Sequence, residues 1–160
     1  MSLDFPSLQE LLEEEKQLTF NQDELDPLLL GEFISQEIIR QNLPLCLIVR
    51  YLGRTVFQIG HPGSQEINDL WMLRKARVSE TFGHSSLYVR LEHEASGRPF
   101  ESHGLDLSQY AFFGGGYPLN SPRFRTFGSI GISGTLQLEE HRFLVKVLDK
   151  FRNSAEKSHL

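Results

Sequence analysis

Two glycine-rich stretches constrain this chain most: Gly114-Gly115-Gly116-Tyr117-Pro118 and, shortly after, Gly128-Ser129-Ile130-Gly131-Ile132-Ser133-Gly134. Consecutive glycines cost backbone entropy, so they persist mainly where Cβ atoms are not tolerated. The second stretch alternates small and apolar residues at strand period, which leaves one sheet face nearly bare. If residues 123–133 form one long strand, Phe124, Thr126, Gly128, Ile130 and Ile132 share the face toward a core. Arg125, Phe127, Ser129, Gly131 and Ser133 take the other, a small-residue floor that either a helix approaches closely or a ligand occupies. No Gly-Lys-Ser/Thr follows the triple glycine, so this is not a phosphate-binding P-loop.

At 160 residues, with 39% hydrophobic and 23% charged side chains, the chain reads as one globular domain with a real core. Its twelve Phe favour dense packing or an oligomer interface. The net charge of −5 is unevenly spread: residues 1–26 hold eight acids against Lys16 alone. The body is therefore almost neutral, and no basic stripe with interleaved aromatics appears, which argues against nucleic acid. The acidic segment would be repelled by anionic membranes, and no apolar run reaches spanning length, so no membrane insertion is expected. No secretory leader is apparent, and a cytoplasmic location is expected. Cys46, the single cysteine, excludes an intrachain disulfide and reads as a small buried hydrophobe within Leu45–Val49.

Ser7 with Glu10 forms a capping box that opens a short acidic helix to about Lys16. Asn21 with Glu24 repeats the signal, followed by a helix through Phe33 and Ile38 to about Gln41. Residues 45–51 and 54–60 read as a tight hairpin, the first strand covered on both faces. A helix runs from about Gln65 to Phe82 and ends at Gly83. Strands are expected at 86–92, where Leu87, Val89 and Leu91 alternate, at 109–113, and at 123–133; a last helix spans Leu138 to about Arg152. The strands are grouped and joined largely by short turns, which implies an antiparallel sheet packed with helices. The organisation expected is an acidic helical extension over 1–20, a domain over 21–153 and a frayed tail over 154–160.

In the 65–82 helix, Ile67, Leu70, Trp71, Val78 and Phe82 form an apolar stripe that contains Arg74 and has Lys75 at its edge. Both cations either snorkel to the rim or send one charge to a ligand anion or a carboxylate. His84-Ser85-Ser86 has no acid positioned for nucleophilic catalysis, so the serines read as turn residues, while His84 stays a polar candidate. His103 lies near Glu101 and Asp106, a weak metal-like grouping. His141 follows Glu139-Glu140 in a first helical turn, where acids favour the helix dipole. No zinc or dinucleotide spacing occurs.

Trp71-x-x-x-Lys75, Phe82-x-x-Ser85-Ser86, Gly114–Pro118, Gly128–Gly134 and Glu139-Glu140-His141 together resemble the GlcG/HbpS-like (haem-degrading domain) superfamily, closest to its uncharacterised-protein-family branch. The match covers about residues 25–150. The resemblance implies a profilin-like three-layer α/β/α fold with a five-stranded antiparallel sheet. It also implies homo-oligomers, and haem binding or a sensory accessory role in some members. The leading expectation is a non-catalytic small-ligand-binding and assembly module. Its candidate ligand-binding residues are Lys75, His84, Ser86, Gly114, Gly115, Gly116, Ser129 and Ser133. No cofactor is demanded by these motifs and no metal is expected. The alternatives are an enzyme using Lys75 or His84 on a small anionic ligand, and a haem sensor or carrier ligated through His84, His103 or His141.

Overall fold

The computed structural model describes residues 4–154. All of the expected tail but Ser154 therefore lies outside the described residues. Helix α1 (Leu8–Gln17) begins with the expected capping box: Ser7 Oγ accepts from Glu10 N–H, and Glu10 reaches back to Ser7 N–H. Helix α2 (Pro27–Arg40) starts later than the Asn21–Glu24 signal suggests. Asp26 caps it through Leu28 and Leu29 N–H and Pro27 takes the first helical position, while Asn21 closes a turn through Glu24 and Leu25 N–H.

Strands β1 (Cys46–Tyr51) and β2 (Arg54–Gly60) form the hairpin, turning through Leu52 and Gly53 at φ 50° and 78°. Two successive positive φ values match the right-handed twist of the strands. Helix α3 (Glu66–Phe82) ends at Gly83 in the left-handed region. Next come α4 (Ser86–Ser96), a 3₁₀ turn at Phe100–His103, β3 (Gly116–Asn120), β4 (Thr126–Ser133) and α5 (Gln137–Arg152).

The antiparallel sheet has four strands in the order β2-β1-β4-β3, which corrects the expected five. Residues 86–92 are the first reason, because they are helical. Ser85 Oγ caps Tyr88 N–H, and Gly97 at φ 73° ends the helix. The alternation of Leu87, Val89 and Leu91 misled because α4 is wedged between two apolar clusters. Leu87 and Leu91 meet Leu11 and Leu138, while Val89 turns toward Val78 and Phe112. The second reason is residues 109–113, which form a packed loop whose Ala111 N–H bonds to Arg74 O in α3; the fourth strand, β3, was not expected and starts inside the triple glycine at Gly116. The last strand begins at Thr126, because Phe124 (φ 58°) belongs to the preceding turn.

Side-chain alternation on β1 divides the layers. Leu47 and Val49 join Ile34 and Ile38 of α2, Ile130 and Ile132 of β4, and Leu144, Leu148 and Phe151 of α5 in the main core. Cys46 and Ile48 face Met72 and Ala76 of α3. Phe127 also joins the main core, against its expected face; the β3–β4 register shifts at Leu119/Asn120, next to it. Bulges of this kind re-aim side chains.

Helix α3 covers the small-residue floor. A Cβ on Gly131 would collide with the Met72 carbonyl, and one on Gly116 with the Lys75 carbonyl. This close approach turns the helix away from the expected stripe. Met72, Lys75, Ala76, Val78 and Ser79 are buried, whereas Ile67 and Leu70 are 52% and 59% exposed. The face that fits against bare glycine is the one with room to approach, and it is not the most apolar face.

Candidate functional site

Lys75 does not snorkel. Its ammonium is buried and contacts Glu140 Oε1 at 2.6 Å, with the Ile132 carbonyl at 3.3 Å. The other carboxylate oxygen, Oε2, accepts from Gly134 and Thr135 N–H at 2.9 and 2.8 Å. The pair therefore ties α3, α5 and the end of β4 together, with every oxygen engaged. Gly115, at φ 122°, wraps over it; a Cβ there would lie 2.7 Å from Glu140 Oε1 and 3.0 Å from the Lys75 Cδ. Burial holds the Glu140 carboxyl above its ordinary range, opposed by the Lys75 charge and the hydrogen bonds it accepts.

The other expected residues separate into different neighbourhoods. Ser86 Oγ accepts from Gly116 N–H at 2.8 Å, a buried brace that holds the start of β3 against α4. Gly114 N–H donates to Gln137 Oε1 at 2.9 Å. Ser129 donates to Glu80, which also receives Arg50 at 2.7 Å, in a network across the sheet away from Lys75. Ser133 accepts from Asn68 Nδ2 and lines an open cavity of about 350 Å³ with Lys75, Trp71, Phe113, Gly134 and Gln137. Trp71 and Phe113 meet edge to face at 5.6 Å on its wall, and the Arg74 guanidinium lies 4.5 Å over Trp71. Phe113 and Leu136 line the cavity yet stay 36% and 66% exposed.

The acidic helix α1 has a specific seat. Leu11 is buried against Leu87 and Leu138, and the carboxylates of Glu14 and Glu15 reach basic or donor groups. Glu15, 3% exposed, accepts from Ser85 N–H and contacts His84 Nδ1, both at 2.7 Å. Glu14 contacts His141 Nε2 at 2.8 Å. The Tyr117 hydroxyl lies beneath, buried and, among the described residues, without a hydrogen-bond partner, as is His141 Nδ1. Burial pushes the Tyr117 hydroxyl pKa well up, and the charges of Glu14 and Glu15 push it the same way.

A third cluster holds His93 and His103, whose Nε2 atoms meet at 2.6 Å. They line a cavity of about 280 Å³ with His84, Tyr88, Glu92 and Arg98. His93 Nδ1 bonds to the Val89 carbonyl at 2.7 Å, which leaves its Nε2 as the acceptor. Among the described residues, no group of three or more His, Cys, Asp or Glu is placed to hold a metal ion. Glu140, Glu14, Glu15, Tyr117 and His93 were missed as site residues. Glu140 and the acidic run were visible as charges, but what they meet depends on contacts 65 or more residues away.

A four-stranded antiparallel sheet between helices, with a closed ion pair beside an open aromatic cavity, defines a mixed α/β domain. The family described as haem degrading protein HbpS-like matches residues 26–149, and the chain belongs to it. A UPF0303 protein of Streptomyces coelicolor is 33% identical over 148 residues, covering 91% of this chain and 94% of that one. Among solved structures, the Ybr137w protein superposes with a TM-score of 0.78 at 29% identity, covering 93% and 90% of the two chains. The PduOC:Heme complex shares the fold, at a TM-score of 0.60 and 17% identity over 81% of this chain and 94% of that one. Among the described residues, no helix is long and apolar enough to cross a membrane.

Proposed function

We propose that this chain is a non-catalytic, homo-oligomeric module that binds a small planar polar ligand in the cavity walled by Trp71 and Phe113. The observation that carries this reading is the pairing of an open cavity with an exposed apolar rim. Phe113 and Leu136 line the cavity, and Ile67 and Leu70 are exposed on the turn of α3 that carries Asn68 and Trp71. Clustered exposed apolar residues mark an interface, and a second copy seated on this rim would close the cavity. Asn68, Ser133 and Gln137 supply hydrogen-bonding groups at its edge. An anionic ligand gains little from Lys75, because Glu140 already neutralises it. That same pairing disfavours the enzyme alternative, since neither member is free to exchange a proton with a substrate.

Native mass spectrometry of protein from its own cells tests both parts at once. The expected result is an oligomer with a retained small molecule, lost in Trp71→Ala. A monomer with no bound mass would defeat the reading.

Haem is a second reading, supported by the family's description and by the haem complex among the fold relatives. His84 and His103 are the residues that would hold it: both line the cavity and Glu15 engages His84 through Nδ1, whereas both ring nitrogens of His93 are hydrogen-bonded and Glu14 takes Nε2 of His141. A cavity of about 280 Å³ admits only an edge of a tetrapyrrole, so most of the group would lie outside it. Haemin added to the protein should give a Soret shift that is lost in His103→Ala; an unchanged spectrum sinks this reading.

A further inference from the structure

We propose that the surface beneath α1 is a binding site for a small dicarboxylic acid, occupied within the chain by Glu14 and Glu15. Two carboxylates from adjacent residues enter it, each met by its own donors. One lies on the Ser85 N–H, at the N-terminus of α4, and on His84 Nδ1; the other lies on His141 Nε2. A helix N-terminus attracts an anion through its free N–H groups and its dipole. The independent sign of a ligand site is Tyr117. Its hydroxyl is buried, has no hydrogen-bond partner, and lies within the fields of both carboxylates. Leaving a buried hydroxyl without a partner is unfavourable. A free dicarboxylate, whose oxygens are not fixed by the helix backbone as those of Glu14 and Glu15 are, can turn one of them to it.

The chain is anchored just beyond the occupant, where Leu18 and Phe20 are buried in the main core. Leu11 is the one buried apolar side chain of α1, and Phe5 adds a partly buried contact. A tethered occupant competes at an effective concentration in roughly the millimolar range, so it masks a ligand without abolishing binding. The site is independent of the Trp71 cavity. Consecutive residues of α5 serve the two, Glu140 facing Lys75 and His141 facing Glu14.

The test is isothermal titration of the full-length chain with succinate, glutarate and orthophosphate. Wild type is compared with Leu11→Asp, which unseats the helix, and with Glu14→Ala/Glu15→Ala, which empties the site. Each variant is first checked for native circular dichroism; should Leu11→Asp not fold, the double variant decides. Both should bind a dicarboxylate about tenfold more tightly than wild type. Adding His141→Ala to the double variant should remove the gain, and a peptide of residues 4–18 should compete. The proposal is overturned if folded variants gain nothing, if orthophosphate gains as much, or if the gain survives His141→Ala. Trp71→Ala should leave all these affinities unchanged, which separates this site from the cavity.

Discussion

Two carboxylate centres sit on neighbouring residues of α5, and they are built in opposite ways. At Lys75–Glu140 every polar atom of the carboxylate is engaged, glycine wraps the pair, and three elements converge on it. At His141, one residue on, the partner carboxylate comes from a short peripheral helix, and a ring nitrogen and a nearby tyrosine hydroxyl lack partners. The first arrangement is what a buried charge needs if it is to hold a fold together. The second leaves buried hydrogen-bonding capacity unspent, which the proposed ligand would use. The difference separates a structural ion pair from the binding place proposed above.

The strongest way to break the contrast is to remove one member of the closed pair. Lys75→Met strands Glu140 in a buried site and should destabilise the protein by about 3–5 kcal/mol, read from urea unfolding. Lys75→Met with Glu140→Leu should recover much of that loss; a double variant no better than the single would mean that packing, not charge, dominates. Gly131→Ala pushes a methyl into the Met72 backbone and should cost about 1–3 kcal/mol in the same assay. A neutral result would show that α3 can retreat from the floor.

Glu15→Ala leaves the buried Ser85 N–H and the partly exposed His84 without their acceptor, and the space left beside His84 lets water replace it. Its expected cost is only about 1 kcal/mol. A loss as large as that of Lys75→Met would erase the distinction between the two centres.

Smallest of all is a surface comparison. Arg40 donates to Glu37 and holds its pKa at about 2, aided by Gln41 and Lys150. A depressed carboxylate contributes stability above its unfolded value of 4.5, and that contribution fades as pH falls from there toward 2. Arg40→Ala should raise the Glu37 titration midpoint in carbon-detected NMR while changing stability at pH 7 by less than about 1 kcal/mol. Separately, burial raises the Cys46 thiol to about 12, with Asp69 acting in the same direction. A thiol reagent at pH 8 should therefore label it only on unfolding.

Local signals gave the hairpin, the caps of α1 and α3, and the neutral floor of β4, because each is encoded by adjacent residues. Residues 86–92 show the limit. Leu87, Val89 and Leu91 alternate like a strand, and the same spacing serves a helix flanked by two apolar clusters. Pattern alone does not tell a half-covered sheet from a helix buried on two sides. The candidate site was legible in part. Lys75 and Ser133 do line one cavity, whereas His84, Ser86 and Ser129 serve α1, β3 and the Arg50–Glu80 network.

By itself the sequence determined where a Cβ would be intolerable and where charge would accumulate. Gly114–Gly116, Gly131 and the acids of residues 1–26 carry that information locally, since glycine sterics and net charge need no partner to be read. The tertiary structure alone decided what those features meet. It set α3 against the floor through Met72, Ala76 and Ser79, gave Lys75 to Glu140, and laid Glu14 and Glu15 on two histidines. The reason is distance along the chain. The hydrogen bonds among them join residues from 65 to 127 positions apart, and only the packing of the whole core brings these within reach.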